Sequence, residues 1–170
     1  MFISEHSLDE ARMAAAMTKY ILDTNIFNRI VDGELNGEEI GKRTTLCATH
    51  VELNELQNAR NEERRGHLLN IFEAVDAKLI PTTSAVWGVS EWGSAEYTSE
   101  DSNYPNIVKR LEKKNGGKGS NVRDALIADT AMSLGLTLVT EDRHLFEVVA
   151  EAGGSVVRLK EFLESIGIKY

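Results

Sequence analysis

A short apolar stretch that ends abruptly in an acid is the feature that most constrains the fold. Residues 20–25 have the sequence YILDTN. Three apolar or aromatic residues followed by turn-forming residues predict a buried β-strand that stops at the acid. Asp23 then lies just beyond the carboxyl end of the strand, which in open α/β sheets is the edge where ligands bind. Asp23 is therefore the first candidate site residue.

Further short apolar stretches alternate with amphipathic ones along the chain. We predict strands near residues 20–22, 44–48, 78–82, 136–139 and 155–159, with mainly helical sequence between them. One of the intervening helices is predicted to run without a break over residues 58–77. The alternation favours parallel βαβ units, and right-handed crossovers place the carboxyl ends of the strands on one edge. The predicted fold class is α/β with a central, mainly parallel sheet.

Length and composition indicate one soluble domain. We assign residues 20–170 to it and residues 1–19, where Ser7 and Glu10 have capping-box spacing, to an N-terminal helical extension. No apolar run reaches the roughly 18 residues of a membrane helix, and no signal-peptide pattern is present. The one cysteine, Cys47, has apolar neighbours and is expected to be buried. A cytoplasmic protein without a membrane segment is expected.

A second candidate acid lies after the second predicted strand. Thr49 and Glu52 have the spacing of a capping box, so Glu52 has a structural role available in the first helical turn. Glu55 lies three residues further along and shares a helix face with Glu52, but it has no such role. We favour Glu55 as the functional acid and keep Glu52 in reserve.

Two more acids occur near the fourth strand. Residues 121–134 form the clearest helical pattern, with Asp124 in its first turn at the margin of the apolar stripe. Asp129 lies away from that stripe and is expected to face solvent. Asp142 follows the strand at 136–139, after Thr140 and Glu141. The structural alternatives are stabilisation of the helix dipole for Asp124 and the start of a turn for Asp142.

Parallel topology would gather Asp23, Glu55, Asp124 and Asp142 at one sheet edge. Several carboxylates close together either raise one another's pKa or bind cations. Ligands that are all oxygen favour Mg²⁺ or Mn²⁺. Such a site can activate a water molecule and balance the charge of a phosphodiester during its displacement.

The charge distribution allows a nucleic-acid contact at one segment only. The net charge of −8 argues against general adhesion to nucleic acid. Residues 105–123 nevertheless carry six basic residues against one acid, and these could bind a phosphate backbone or be a solvated helix end: Lys109, Arg110, Lys113, Lys114, Lys118 and Arg123. Trp87 and Trp92 could stack on bases, although tryptophans in a domain of this size usually lie in the core.

These motifs together resemble the PIN-domain nucleases, which include ribonuclease toxins of bacterial toxin–antitoxin pairs. The resemblance rests on ILDTN at 21–25, NEL at 54–56, DALIA at 124–128 and LVTED at 138–142. It implies a three-layer α/β/α fold and divalent-metal-dependent cleavage of single-stranded RNA. It also implies that Asp23, Glu55, Asp124 and Asp142 are the catalytic and metal-binding acids, with Asn25 and Thr140 as supporting residues. The implied partners are single-stranded RNA and a cognate antitoxin protein; a homo-oligomer is also considered.

Three functional hypotheses follow. The first is a metal-dependent endoribonuclease. The second is a catalytically silent PIN-like module that binds RNA or a protein partner, against which the presence of all four acids argues. The third is an aspartate-nucleophile phosphatase, which normally requires a second acid two positions after the first, where this chain has Asn25.

Overall fold

The first strand forms where the apolar stretch predicted it, and it lies at the centre of the sheet. The computed structural model describes residues 19–96 and 102–170, so the predicted helix over residues 1–19 lies almost wholly outside the described residues. The strands of the described part are β1 (Lys19–Leu22), β2 (Thr45–Ala48), β3 (Lys78–Leu79), β4 (Thr137–Val139) and β5 (Val156–Val157). The helices are α1 (Thr24–Asp32), α2 (Gly37–Arg43), α3 (His50–Gln57), α4 (Glu62–Ala74), α5 (Tyr104–Asn115), α6 (Asn121–Ser133), α7 (Arg143–Glu151) and α8 (Leu159–Ser165).

All five strands are parallel, in the order β3-β2-β1-β4-β5. Ile21 of β1 pairs with Cys47 on one side and with Leu138 on the other. The chain first extends the sheet to one side of β1 and then crosses to the other side. In parallel sheets such a change of direction opens a crevice at the carboxyl ends of the two strands involved, here β1 and β4. The prediction of a parallel α/β sheet is confirmed.

The side chains of β1 alternate between two hydrophobic cores. Tyr20 and Leu22 point into a core built with α1, α2, α4 and α8, where the ring of Tyr20 lies 4.9 Å from that of Phe162. Ile21 and the buried Cys47 point into a second core built with α5, α6 and α7. Helices therefore cover both faces of the sheet, which is the three-layer α/β/α arrangement that was predicted. No helix within residues 19–96 and 102–170 combines the length and apolarity needed to cross a bilayer.

The helix predicted over residues 58–77 does not continue directly from the helix that carries Glu55. Helix α3 ends at Gln57, and α4 begins only at Glu62. The side-chain amide of Asn58 donates to the carbonyl of Asn54 at 2.8 Å, while the side chain of Asn61 accepts from the amide of Arg64 at 2.7 Å. These two amide side chains satisfy backbone groups at the ends of the two helices, so the chain can turn between them.

Helix α2 approaches the end of α4 at a glycine. A Cβ atom at Gly41 would lie 2.5 Å from the carbonyl oxygen of Val75, whereas one at Gly66 would meet nothing within 4 Å. We expect Gly41→Ala to lower the free energy of unfolding by about 1–3 kcal/mol, because backbone must shift to admit the methyl group. Gly66→Ala, in the interior of α4, should raise it by up to about 1 kcal/mol. Denaturant unfolding measures both values, and equal stability of the two variants would contradict the close approach.

Candidate active site

Asp23 lies at the carboxyl end of β1, in the crevice between β1 and β4. Its backbone amide donates to the carbonyl of Val139 at 3.0 Å, which fixes the residue against the end of β4. Its carboxylate is buried and accepts a hydrogen bond from the Thr140 hydroxyl at 2.6 Å. The side-chain amide of Asn25 donates to the same carboxylate oxygen. The two residues predicted to support the site therefore both contact Asp23.

The loop after β4 places Asp142 beside the same group of side chains. The amide of Asp142 donates to the Thr140 hydroxyl at 3.0 Å, and the amide of Glu141 donates to the side-chain oxygen of Asn25 at 3.1 Å. One carboxylate oxygen of Asp142 accepts from the amide of Leu145 at 2.8 Å and so caps α7. Asp142 consequently has a structural role at this edge as well as a position near Asp23.

Glu55 comes from α3 and is held from two directions. One carboxylate oxygen accepts from the hydroxyl of Thr24, the residue after Asp23. The other oxygen forms an ion pair of 2.7 Å with Nε of Arg123, the residue before Asp124. The favoured acid of α3 thus faces both β1 and the start of α6. No sequence pattern indicated the contacts of Thr24 and Arg123, because each joins positions far apart in the chain.

Glu52 has the capping role that its spacing predicted. Its carboxylate accepts from the backbone amide of Thr49 at 3.0 Å and from the hydroxyl of the same residue, while that hydroxyl accepts from the amide of Val51. The side chain is fully buried, and among the described atoms its second oxygen lacks a hydrogen-bond partner. Burial raises the pKa of Glu52 to about 8, against the opposing effect of the Thr49 hydrogen bond.

This raised pKa predicts a pH dependence of stability. The folded state favours the neutral carboxyl, so the stabilisation is complete below the ordinary pKa of 4.5 and is lost as pH rises through about 8. Glu52→Gln removes this loss. Between the ordinary pKa and the raised one, the variant should become more stable relative to the wild type as the pH rises. We expect the difference in their free energies of unfolding to grow by up to about 1.4 kcal/mol per pH unit. Denaturant unfolding at several pH values tests this, and a constant difference between the two proteins would contradict it.

Asp124, in the first turn of α6, completes the group of four acids. The pKa of Asp124 is raised to about 7, mainly by burial and then by the charges of Asp23, Glu55 and Asp142, against a hydrogen bond from Ser120. The pKa of Asp23 is raised to about 6, mainly by burial, with smaller contributions from Glu55 and Asp142 and an opposing effect of the Thr140 hydrogen bond. Asp23 and Asp124 are therefore close enough to the other acids to be affected by their charges.

Two of the four acids have well-defined protein partners. Within residues 19–96 and 102–170, no three His, Cys, Asp or Glu side chains are grouped as a set ready to coordinate a metal. Asp23 contacts Asn25 and Thr140, and Glu55 contacts Thr24 and Arg123.

Asp129 is buried, so the prediction that it faces solvent is wrong. Its carboxylate accepts hydrogen bonds from four groups: the hydroxyls of Thr83 (3.0 Å), Ser84 (2.8 Å) and Ser102 (3.3 Å) and the amide of Asn103 (2.9 Å). These donors lie on the two chain segments that flank residues 85–101. The side of α6 that looked polar in the sequence is therefore covered by the connection between β3 and α5.

The tryptophans are also placed differently from the expectation. Trp87 and Trp92 are each 97% exposed and contribute nothing to either core. The connection between β3 and α5 packs through its small polar residues and Val86 and Val89 instead, which leaves both indole rings in solvent.

The predicted basic segment is partly neutralised by acids of α7. Lys114 contacts Glu147 and Glu151, each at 2.9 Å, and Arg110 lies 3.7 Å from Glu151. Arg123 pairs with Glu55 at the acidic group. Lys109, Lys113 and Lys118 are exposed and form no ion pair with another described residue.

Comparison with known proteins places this arrangement in a family. The sequence profile of the PIN domain matches residues 20–152. No curated protein sequence matches the chain. Among solved structures, VapBC2 from Rickettsia felis, bound to a DNA fragment from its promoter, is 22% identical with a TM-score of 0.53, covering 83% of this chain and 98% of the other. PAE2754 from Pyrobaculum aerophilum is 21% identical with a TM-score of 0.55, covering 89% and 97%. These structures share the fold, and because the PIN profile spans most of the chain, the protein belongs to the PIN domain family.

Proposed function

We propose that the chain is a metal-dependent endoribonuclease that hydrolyses phosphodiester bonds of single-stranded RNA at Asp23, Glu55, Asp124 and Asp142. PIN domains are nucleases as a family, which supports hydrolase chemistry. The observation that carries the proposal is the raised pKa of Asp23 and Asp124: burial is the main cause, and the charges of Glu55 and Asp142 contribute to both rises. Buried acids with shifted pKa values are typical of functional sites.

The side chains present suit a hard divalent cation. All four candidate ligands are carboxylates, and oxygen ligands favour Mg²⁺ or Mn²⁺. The pKa of Asp23 and Asp124 is raised mainly by burial and also by neighbouring carboxylates, and a cation would oppose both effects by stabilising the ionised forms. When bound, the ion would supply a Lewis acid that lowers the pKa of water and offsets charge on the phosphate.

The surrounding residues orient the carboxylates for binding a cation and supply donors for the phosphate. Thr140 and Asn25 fix the orientation of Asp23, since both donate to the same oxygen. Asp23 is buried and Asp124 is partly buried, and this lower exposure to water strengthens the electrostatic interactions within the group. Arg123 is half exposed and uses one nitrogen on Glu55, so its guanidinium retains donors that can bind a phosphate of the strand.

We also propose that the chain acts as a toxin with a cognate antitoxin protein as its partner. The support is membership of the PIN family together with the similarity in fold to the VapBC2 structure. Induced expression in a bacterial host should arrest growth, and the Asp23→Asn variant should not. Arrest by both proteins alike would contradict a toxin role that depends on this site.

Incubation with a panel of single-stranded RNAs tests the catalytic proposal. We expect cleavage with Mn²⁺ or Mg²⁺ and none after chelation, with no cleavage of duplexes of the same sequence. The ion should also stabilise the fold, by about 2.7 kcal/mol at a concentration 100 times its dissociation constant. Cleavage that persists in chelator would contradict metal dependence. Absence of both cleavage and stabilisation would favour the silent binding module.

A further inference from the structure

The connection between β3 and α5 carries both tryptophans of the chain. Hydrogen bonds hold the residues at its two ends together. Thr83 and Ser84 on its first side, and Ser102 and Asn103 on its second, all donate to the buried Asp129. Thr82 pairs with the returning chain, accepting from the amide of Glu96 at 2.8 Å. We call residues 85–96 the tryptophan segment.

The tryptophan segment has internal structure but leaves its indole rings uncovered. The amide of Val86 donates to the Ser90 hydroxyl at 2.8 Å, and the amide of Ser90 donates back to the carbonyl of Val86 at 2.9 Å. Trp87 and Trp92 nevertheless remain 97% exposed. An organised turn that holds two large aromatic rings in water is typical of a binding surface, because covering such rings is strongly favourable.

This segment lies next to the group of four acids. The side-chain amide of Asn54 donates to the carboxylate of Glu91 at 2.9 Å. Asn54 is the residue before Glu55, and Glu91 is the residue before Trp92. A nucleic-acid strand whose phosphate occupies the acidic group would therefore have its neighbouring nucleotides within reach of the segment.

The chemistry of the segment selects an uncharged aromatic ligand. Its residues surround an open depression of about 930 Å³, and the lining contains Glu91 and Glu96 but no Lys or Arg among the described residues. These carboxylates disfavour a phosphate placed directly against them, so the sugar-phosphate backbone would lie away from Glu91 and Glu96 while an uncharged nucleobase stacks on indole. Stacking on aromatic side chains is also how proteins hold the unpaired bases of single-stranded RNA.

We propose that Trp87 and Trp92 form a base-stacking subsite for nucleotides of the RNA strand beside the cleaved phosphate. This inference rests on the proposed nuclease function for the identity of the ligand. Such a recognition site would favour single strands, because bases within a duplex are already stacked on one another and cannot enter.

Intrinsic fluorescence provides a direct test, since the chain has only these two tryptophans. The wild type is titrated, in chelator, with an oligoadenylate RNA and with an abasic ribose-phosphate oligomer of equal length. We expect quenching by the RNA and little response to the abasic oligomer. The ratio of the two affinities should change little with salt, because stacking, unlike phosphate binding, releases no counterions. Equal responses to the two oligomers would overturn the proposal.

Substitution of each tryptophan tests whether its indole ring contributes to RNA binding. Anisotropy of a labelled RNA should show about tenfold weaker binding for Trp87→Ala or Trp92→Ala. Tyr170→Ala, which removes another exposed aromatic ring, serves as the matched control and should bind as the wild type. Unchanged affinity of both tryptophan variants would overturn the subsite. A blue shift with a cationic amphipathic peptide, without any response to RNA, would overturn it in favour of protein docking.

The fluorescence and anisotropy measurements report RNA binding and do not require the protein to cleave RNA. Binding that requires both indoles, in a protein that cuts no RNA, would retain the subsite and reject the nuclease. Normal cleavage by a Trp87→Ala, Trp92→Ala double variant with wild-type KM would retain the nuclease and reject the subsite.

Discussion

Replacing Asp23 or Asp124 with asparagine should abolish RNA cleavage while the fold is kept. Both side chains are candidate cation ligands, and loss of residues that only orient a ligand already costs about 10–100-fold. We therefore expect each variant to lose at least about 100-fold in initial rate. Stability should be unchanged or higher above neutral pH, because burial and neighbouring carboxylates oppose ionisation of Asp23 and Asp124.

Two acids on one helix give a matched control for this prediction. Glu55→Gln should lose cleavage as Asp23→Asn does, whereas Glu52→Gln should cleave as the wild type, since Glu52 caps α3 through Thr49. Initial rates with Mn²⁺ and thermal unfolding of every variant separate lost chemistry from lost folding. Wild-type rates in both Asp23→Asn and Asp124→Asn would refute the catalytic assignment.

Asp129→Ala should cause a large loss of stability although Asp129 is not among the four candidate acids. The substitution leaves a buried cavity and removes the acceptor of four hydrogen bonds. Buried donors without partners cost about 1–3 kcal/mol each, and the hydroxyls of Thr83, Ser84 and Ser102 can partly recover by binding water. We expect a loss of about 3 kcal/mol or more in the free energy of unfolding.

Denaturant unfolding measures this loss, with Glu73→Ala on the exposed side of α4 as the control that should change little. Asp129→Asn should fall between the two, because the amide retains an acceptor oxygen but loses the charge. Since the same carboxylate anchors the tryptophan segment, Asp129→Ala should also weaken the contact of Glu91 with Asn54. Equal stability of Asp129→Ala and Glu73→Ala would show that the buried hydrogen bonds are not maintained in solution.

Features specified by residues within a few positions of one another could be predicted from the sequence. The strand before Asp23 is marked by its apolar run, and the start of α3 by the spacing of Thr49 and Glu52. The α/β class follows from the alternation of such segments. Parallel pairing then brings Asp23 and the residues after β4 to one edge, which is why these candidate acids could be proposed together.

Features that depend on contacts between distant segments could not be predicted. The helical pattern of α6 placed Asp129 on its polar side, but it could not show that Thr83 and Ser102 would cover that side. The contact of Arg123 with Glu55 makes a residue that was predicted to bind phosphate also a partner of a site acid. The exposure of Trp87 and Trp92 depends on which residues of the β3–α5 connection reach the core.

The sequence by itself determined the alternating strands and helices, the acids that follow β1 and β4, and the capping of α3, because backbone preferences and apolar periodicity act over a few residues. Only the tertiary structure decided which polar side chains are buried and what each of them contacts. Burial of a carboxylate such as Asp129 is stable only when donors from elsewhere in the chain meet it, and that meeting is a property of the packed fold.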